Sequence, residues 1–122
     1  MSSSDQNKAS VAKLFDAFRS GNTAAFDHLI NEDYMQHNPQ AGNGREAVKA
    51  FFEGIGPIDV EVHRVIAEGD LVALHSNYRT FNMAGVDIFR FNEKGEIVEH
   101  WDVLQPIPET TVSGNDMFSQ LS

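Results

Sequence analysis

Three residues in the last third of the chain have side chains that could transfer protons: Asp87, His100 and Asp102. Asp87 interrupts an apolar run at residues 86–91, where a carboxylate is costly unless it is paired. A carboxylate that bonds to His100 could orient the imidazole as a general acid or base. Asp102 could itself remove a proton from the carbon next to a carbonyl. The alternative is structural: a hydrogen-bonded core histidine, a buried paired Asp87 and a strand-end Asp102.

The loop between the last two predicted strands decides whether these side chains share a face. Residues 92–95 predict a four-residue hairpin loop. With that loop Asp87 lies directly opposite His100, and Asp102 and Leu104 follow on the same face. Directly opposed side chains have Cβ atoms roughly 5 Å apart, close enough for a carboxylate–imidazole hydrogen bond. A loop one residue longer or shorter would move His100 to the other face from Asp87.

The elements that position these residues follow from the hydrophobic pattern. Spacings of three and four predict a helix over residues 8–19, a short one through Phe26 and Leu29, and a third over residues 45–53. Residues 34–39 predict an extended segment, because Pro39 disfavours helix before it. Alternation and turn residues predict four strands, at residues 59–67, 71–80, 85–91 and 97–105.

Helices followed by strands are typical of the α+β class. We expect one domain over residues 1–122, with tails at residues 1–7 and about 107–122. The sheet should be a curled antiparallel one that forms a cone-like half barrel, with the three N-terminal helices covering its concave face. A weak apolar patch in the second tail, at Met117, Phe118 and Leu121, should be loose or dock on a partner subunit.

Composition excludes several kinds of partner. The formal net charge of −9 disfavours nucleic acid and anionic lipid, so we expect neither nucleic acid nor membrane as a partner. The chain has no cysteine, which excludes disulfides and thiolate chemistry. The first residues lack the basic and apolar parts of a signal peptide. A cytoplasmic location is the expectation that fits these features.

Other residues are candidates for the pocket. His37 precedes an Asn–Pro bend and could reach the cavity mouth as a further catalytic group, or bond only to its own backbone. No histidine pair has the spacing of a metal site, so we expect no metal and no other cofactor. Apolar side chains on the helices and on the inner strand face should line the cavity: Phe18, Phe51, Phe52, Leu74, Phe89 and Leu104.

Residues 86–91, 92–95 and 97–102, together with residues 37–39, resemble the SnoaL-like polyketide cyclases, most closely the group predicted to catalyse aldol-type condensations. This group belongs to the cone-shaped superfamily that also holds ketosteroid isomerase and nuclear transport factor. The resemblance implies that Asp87, His100, Asp102 and Leu104 face the pocket. It also places Leu14 and Asn38, as pocket residues, where the isomerase has its catalytic tyrosine and its general base. The Δ5-ketosteroid reaction is therefore not supported.

We expect a cofactor-free enzyme, a cyclase, isomerase or lyase, that binds a small hydrophobic carbonyl compound and removes a proton next to the carbonyl. A non-catalytic binding or dimerisation module is the first alternative; it predicts a polar cluster satisfied by internal hydrogen bonds and no open cavity. A dehydratase or epoxide-type hydrolase on the same scaffold is the second. The apolar second face of the sheet, with the fold, predicts a homodimer.

Overall fold

The chain, described here over residues 3–119 of a computed structural model, begins with helices and ends with strands. The helices are α1 (Ser4–Ser20), α2 (Phe26–Leu29) and α3 (Arg45–Ile55), and the strands are β1 (Ile30–Gln36), β2 (Val60–Glu68), β3 (Leu71–Tyr78), β4 (Met83–Phe91) and β5 (Ile97–Pro106). Short 3₁₀ turns occupy Thr23–Ala25 and Arg79–Phe81. The predicted elements are all present, and most of their bounds differ by one to four residues.

Helix α1 begins earlier than predicted, because a capping box fixes its first turn. The Ser3 hydroxyl accepts the Gln6 backbone N–H, and the Gln6 side chain accepts the Ser3 backbone N–H. Asn7 is then buried on the inner side of the helix. The expected tail at residues 1–7 is therefore helical from Ser4 to Asn7, while Met1 and Ser2 lie outside the described residues. Gly21 ends α1 in the left-handed conformation.

The sheet is mixed rather than purely antiparallel. Its strand order is β1-β5-β4-β3-β2. Strands β2 to β5 form an antiparallel meander, but β1 pairs with β5 in parallel. A parallel pair requires a long crossover between its strands, and α3 with the meander supplies it. The prediction of a purely antiparallel sheet is therefore wrong at this edge.

The predicted α+β half barrel, with three helices on its concave face, is confirmed. The sheet is curled and does not close. Helix α1 packs against β2 and β3, whereas α2 and α3 pack against β1. The core between helices and sheet includes Val11, Leu14, Phe15, Phe18, Phe26, Leu74 and Phe89. Phe52 stacks on Phe18 with ring centroids 4.3 Å apart, but Phe51 is 47 % exposed and does not line the interior as expected.

The segment after β5 folds back on the outer face of the sheet. Phe118 is buried there against the rings of His63 and His75. Arg64 donates to the Phe118 carbonyl at 2.8 Å. The predicted apolar patch therefore packs on this chain through Phe118, and Leu121 lies outside the described residues. The homodimer stays a prediction.

In the described part of the chain, none of the helices has the length and apolar character to cross a membrane.

Candidate active site

The β4–β5 hairpin brings Asp87, His100 and Asp102 to the inner face of the sheet. Asp87 lies opposite Asp102, and Phe89 lies opposite His100. The predicted opposition of Asp87 and His100 is wrong by two residues, while the prediction that all three share a face is confirmed. The two acids thus flank the imidazole from neighbouring strands.

A β-bulge explains the register. Phe91 lies opposite Ile97, so the loop has five residues rather than four. A regular ladder from that point would turn His100 to the outer face. The register shifts by one residue at Val98, however, and the bulge turns the strand back. Ile97 and His100 are three residues apart, yet both are buried on the inner face.

A chain of hydrogen bonds links the acid–base groups. His100 Nε2 lies 2.8 Å from Asp87 Oδ1 and 3.9 Å from Asp102 Oδ2. The other oxygen of Asp87 accepts a short hydrogen bond from the Tyr78 hydroxyl. Asp87 and His100 are only 3 % and 7 % exposed. In such a low-dielectric setting, a satisfied polar cluster has strong internal interactions and a fixed geometry.

Strand β1 contributes the third side of the cluster. Tyr34, Gln36 and Asn38 alternate along the chain and point inward. Gln36 Oε1 lies 2.7 Å from His100 Nδ1. The Asn38 side chain donates to both oxygens of Asp102, at 3.0 and 2.9 Å. Asn38, expected to bind substrate, instead holds a carboxylate of the site.

His37 lies on the other face. Its ring stacks on Trp101 with centroids 5.1 Å apart and planes at 1°, and its Nε2 lies 2.7 Å from Glu99. Glu99 also accepts from Arg90 at 2.8 Å, across the hairpin. Because side chains alternate along an extended chain, His37 and Asn38 cannot both reach the interior. The structure therefore separates His37 from the other candidate catalytic residues.

Two tyrosines of the cluster, Tyr34 and Tyr78, were not predicted from the sequence, and neither was Gln36. Burial, reinforced by the nearby Asp87, raises the pKa of both hydroxyls well above their usual range. Both are therefore protonated donors over the ordinary pH range. The Tyr34 hydroxyl accepts from Gln36 at 2.8 Å, and its own proton has no acceptor among the described residues. Tyr34 and Gln36 lie four and two positions before Asn38, which was predicted, so the period of a strand could have identified both.

The open end of the cluster lies toward the end of β5. Burial along this strand falls from Ile97 to Leu104, which is 43 % exposed. Opposite Leu104, Gly85 has no side chain, and the space that a Cβ would need is already filled. A Cβ there would lie 2.8 Å from a methyl of Leu104 and 2.8 Å from the Tyr78 ring. Leu104 and Tyr78 therefore close over Gly85, directly beside Asp102.

Two cavities of the described part lie elsewhere. One, of about 660 Å³, separates residues 107–119 from the outer face of β2 and β3. The other, of about 150 Å³, lies between α1 and the inner side of β2 and β3, next to Phe15 and Leu74. Neither is lined by the acid–base cluster. Leu14, Phe18 and Phe89, expected to line an open cavity, pack as core, and Leu74 belongs both to the core and to the lining of the smaller cavity.

The cluster also has the residue types of a metal site. One donor atom each from Asp87, His100 and Asp102 lies within 4.8 Å of the others. Both ring nitrogens of His100 are already engaged, however, with Gln36 Oε1 and Asp87 Oδ1. A metal would have to displace these hydrogen bonds. The contacts therefore favour proton transfer as the chemistry of this cluster.

Comparison with known proteins agrees with this architecture. The SnoaL-like domain family matches residues 11–100. No functionally curated protein matches the sequence.

Several solved structures are similar in fold. An NTF2-like protein of unknown function from Burkholderia xenovorans is 19 % identical with a TM-score of 0.78, and the match covers 97 % of each chain. A putative ketosteroid isomerase from Kribbella flavida is 21 % identical with a TM-score of 0.76, over 98 % of this chain and 92 % of that one. TsrD from Streptomyces laurentii is 18 % identical with a TM-score of 0.72, over 85 % and 91 %.

Proposed function

Because the chain belongs to the SnoaL-like domain family, we propose that it is an acid–base enzyme that uses no cofactor and acts on a small or polycyclic carbonyl compound. The reaction removes a proton from the carbon next to the carbonyl and leads to an aldol-type cyclisation or an isomerisation. The supporting observation is the inner-face cluster, in which His100 lies 2.8 Å from Asp87 and 3.9 Å from Asp102.

Asp102 is the general base of the proposed reaction. It lies nearer the open end of the cluster than His100, and Asn38 fixes its carboxylate. Asp102 takes the proton from the α-carbon, and an O–H bond forms as the C–H bond breaks. The C–H electron pair becomes the double bond of the enolate, and the carbonyl π electrons move to oxygen. Return of that proton to another carbon completes an isomerisation; attack of the enolate carbon on a second carbonyl gives an aldol product.

The developing oxyanion needs a donor. Tyr34 offers an O–H with no other acceptor in the described residues. His100 becomes a second donor if the substrate oxygen takes the place of Asp87 Oδ1 at Nε2. Donors fixed in a water-poor site stabilise developing charge more than water does, because they need no reorganisation. Removal of an oxyanion donor typically costs about 10²–10³-fold in kcat.

The surroundings suggest a neutral, largely apolar substrate. Asp87 and Asp102 would repel an anionic ligand, and Phe89 and Leu104 supply apolar contacts on the same face. Ser76, on the neighbouring strand opposite Gly85, is fully buried, and its hydroxyl has no hydrogen-bond partner. An unpaired buried hydroxyl costs about 1–3 kcal/mol. A ligand oxygen that entered beside Gly85, with Leu104 or Tyr78 moved aside, would recover that cost.

The test does not require the natural product to be known. We would incubate the protein with a panel of cyclic ketones and 1,3-dicarbonyl compounds in D₂O and follow deuterium uptake at the α-carbon by mass spectrometry. Asp102→Asn should lower the exchange rate by about 10²–10⁴-fold, and Asp87→Asn and His100→Gln should also lower it.

The control is Glu99→Gln. It removes a carboxylate from the same strand on the outer face and should leave exchange unchanged. Thermal unfolding would establish that each variant folds. Exchange that is equal in Asp102→Asn, Asp87→Asn and the wild type would overturn the proposal.

A non-catalytic binding module is the second candidate, and one observation favours it. Asp87, His100 and Asp102 are all satisfied by internal hydrogen bonds, and neither cavity described above reaches them. Under this alternative, compounds from the panel bind, as measured by calorimetry, but none exchanges deuterium faster than it does without protein. That outcome would replace the enzyme proposal.

A further inference from the structure

The orientation of the Gln36 amide follows from one backbone contact. The backbone N–H of Asn38 lies 3.1 Å from one terminal atom of the Gln36 side chain. A backbone N–H can only donate, so that atom is the amide oxygen, Oε1. The amide nitrogen then donates to the Tyr34 hydroxyl at 2.8 Å. The exchange of oxygen and nitrogen that side-chain amides often permit is excluded here by the Asn38 N–H.

This orientation fixes the tautomer of His100. Its Nδ1 lies 2.7 Å from Gln36 Oε1. An amide oxygen has no proton to donate, so Nδ1 must carry one. A neutral imidazole that is protonated at Nδ1 has only a lone pair at Nε2.

The lone pair at Nε2 creates a conflict with Asp87. Nε2 lies 2.8 Å from Asp87 Oδ1, and a carboxylate oxygen is likewise an acceptor without a proton. Two acceptors cannot approach to that distance unless a proton lies between them. Tyr78 does not supply it, because its hydroxyl is already directed at the other oxygen of Asp87.

We propose that Asp87 and His100 share one additional proton between Oδ1 and Nε2, and that Gln36 is the positioning residue that imposes it. The pair then has no net charge, whether the proton resides on the imidazole or on the carboxyl. Tyr34 and Tyr78 face the pair from β1 and β3 as neutral donors. Asp102 faces it from β5 as the nearest further carboxylate.

Asp87 and His100 share the proton whether or not the protein is an enzyme, but the catalytic role of that proton rests on the proposed function. Asp102 would be the base, and the Asp87–His100 pair would be the acid that delivers its shared proton to the carbonyl oxygen. After delivery the pair consists of an Asp87 carboxylate and a neutral His100 with Nδ1–H. In an isomerisation, Asp102 returns its proton to another carbon and the enol oxygen returns the shared proton to the pair, which restores the starting state.

The experiment is nitrogen NMR of the protein labelled with ¹⁵N-histidine. The five histidines are distinguished by comparison with His100→Gln. At pH 7.5 we expect a protonated Nδ1 on His100 and a hydrogen-bonded proton at Nε2. Gln36→Met removes the acceptor of Nδ1, so the ring can adopt the other tautomer, donate Nε2–H to the Asp87 carboxylate and lose the additional proton. Gln36→Glu keeps an oxygen in place and should keep the protonated Nδ1.

An unprotonated Nδ1 in the wild type, or identical His100 signals in the wild type and Gln36→Met, would overturn the proposal. If Gln36→Met does not fold, the protonation of His100 Nδ1 in the wild type and in Gln36→Glu still tests the proposal. For activity, we expect a fall in kcat of about 10²-fold in Gln36→Met, with KM little changed. The expected NMR signals without any deuterium exchange would leave the shared proton in place and reject only the proposed enzyme.

Discussion

Asn38 holds Asp102 by both carboxylate oxygens, at 3.0 and 2.9 Å from a single amide nitrogen. The family resemblance places a general base at the position of Asn38, where this chain has no carboxylate. The contact shows that a carboxylate still occupies the neighbourhood, supplied from β5 instead of from the end of β1. The Asn38 amide therefore serves as a hydrogen-bond donor to the Asp102 carboxylate.

Asn38→Asp should place two carboxylates within hydrogen-bond distance. Two such groups cannot both ionise without a large repulsion, so one of them gains a proton more readily in the folded chain than in the unfolded chain. Stability should therefore be close to that of the wild type at pH 4 and lower by about 1–3 kcal/mol at pH 8. Urea unfolding at both pH values measures this difference, with Asn38→Ala as the control that removes the hydrogen bond without adding charge. A loss that is equal at pH 4 and pH 8 would contradict the geometry.

Tyr78→Phe and Tyr34→Phe form a matched pair that separates stability from chemistry. Tyr78 donates to buried Asp87, so its removal leaves an unpaired carboxylate oxygen and should cost about 1–3 kcal/mol. The proton of Tyr34 has no acceptor in the described residues, so its removal should cost less stability and reduce deuterium exchange more. Chemical unfolding and the exchange assay together measure both effects. The reverse order in either measurement would refute the assigned roles.

Stability should fall at alkaline pH, and the two tyrosines should report it. Burial raises the pKa of both hydroxyls in the folded chain, whereas an unfolded tyrosine titrates near pH 10. Their contribution is therefore complete below about pH 10 and is lost as the pH rises toward the folded values. The chain has only two tyrosines, so tyrosinate absorbance should appear together with unfolding, followed by circular dichroism. Absorbance that rises near pH 10 while the fold persists would contradict the burial of this cluster.

Acid should release the segment that covers the outer face. Asp116 accepts the backbone N–H groups of Phe118 and Ser119 at 2.8 and 2.6 Å, and these bonds lower its pKa to about 2. Its contribution is present above the ordinary value of 3.8 and is lost as the pH falls from there through about 2. Asp116→Asn should therefore loosen Phe118 from the His63 ring at neutral pH, seen as shifted His63 ring resonances, whereas Glu109→Gln on the same segment should not. Unchanged His63 resonances in Asp116→Asn would show that Asp116 does not hold this segment on the outer face.

The sequence predicted the order of elements because the hydrophobic periods are strong in both halves of the chain. It also predicted the shared face of Asp87, His100 and Asp102. It could not predict their partners, since the bulge at Val98 adds one residue without any glycine or proline to mark it. The predicted register would have put Glu96 inside and Ile97 outside; the observed one buries Ile97 completely.

Two other differences between prediction and structure, the facing of His37 and the start of α1, could have been predicted from the sequence. The alternation of Tyr34, Gln36 and Asn38 excludes His37 from the same face, and Ser3 with Gln6 has the spacing of a capping box. The parallel pairing of β1 with β5 could not be predicted from the sequence, because pairing between distant segments depends on how the whole sheet curls and not on local pattern.

The bulge at Val98 divides the hairpin into two segments whose registers differ by one residue. The tip, up to Ile97, anchors the sheet in the core, while the segment from Glu99 onward carries the acid–base groups. A change of length within residues 92–96 lies outside the ladder, which begins at the pair of Phe91 with Ile97. Loop 92–96 is therefore a suitable place to insert a peptide tag or to exchange loop sequences, since such engineering need not turn His100 out of the interior.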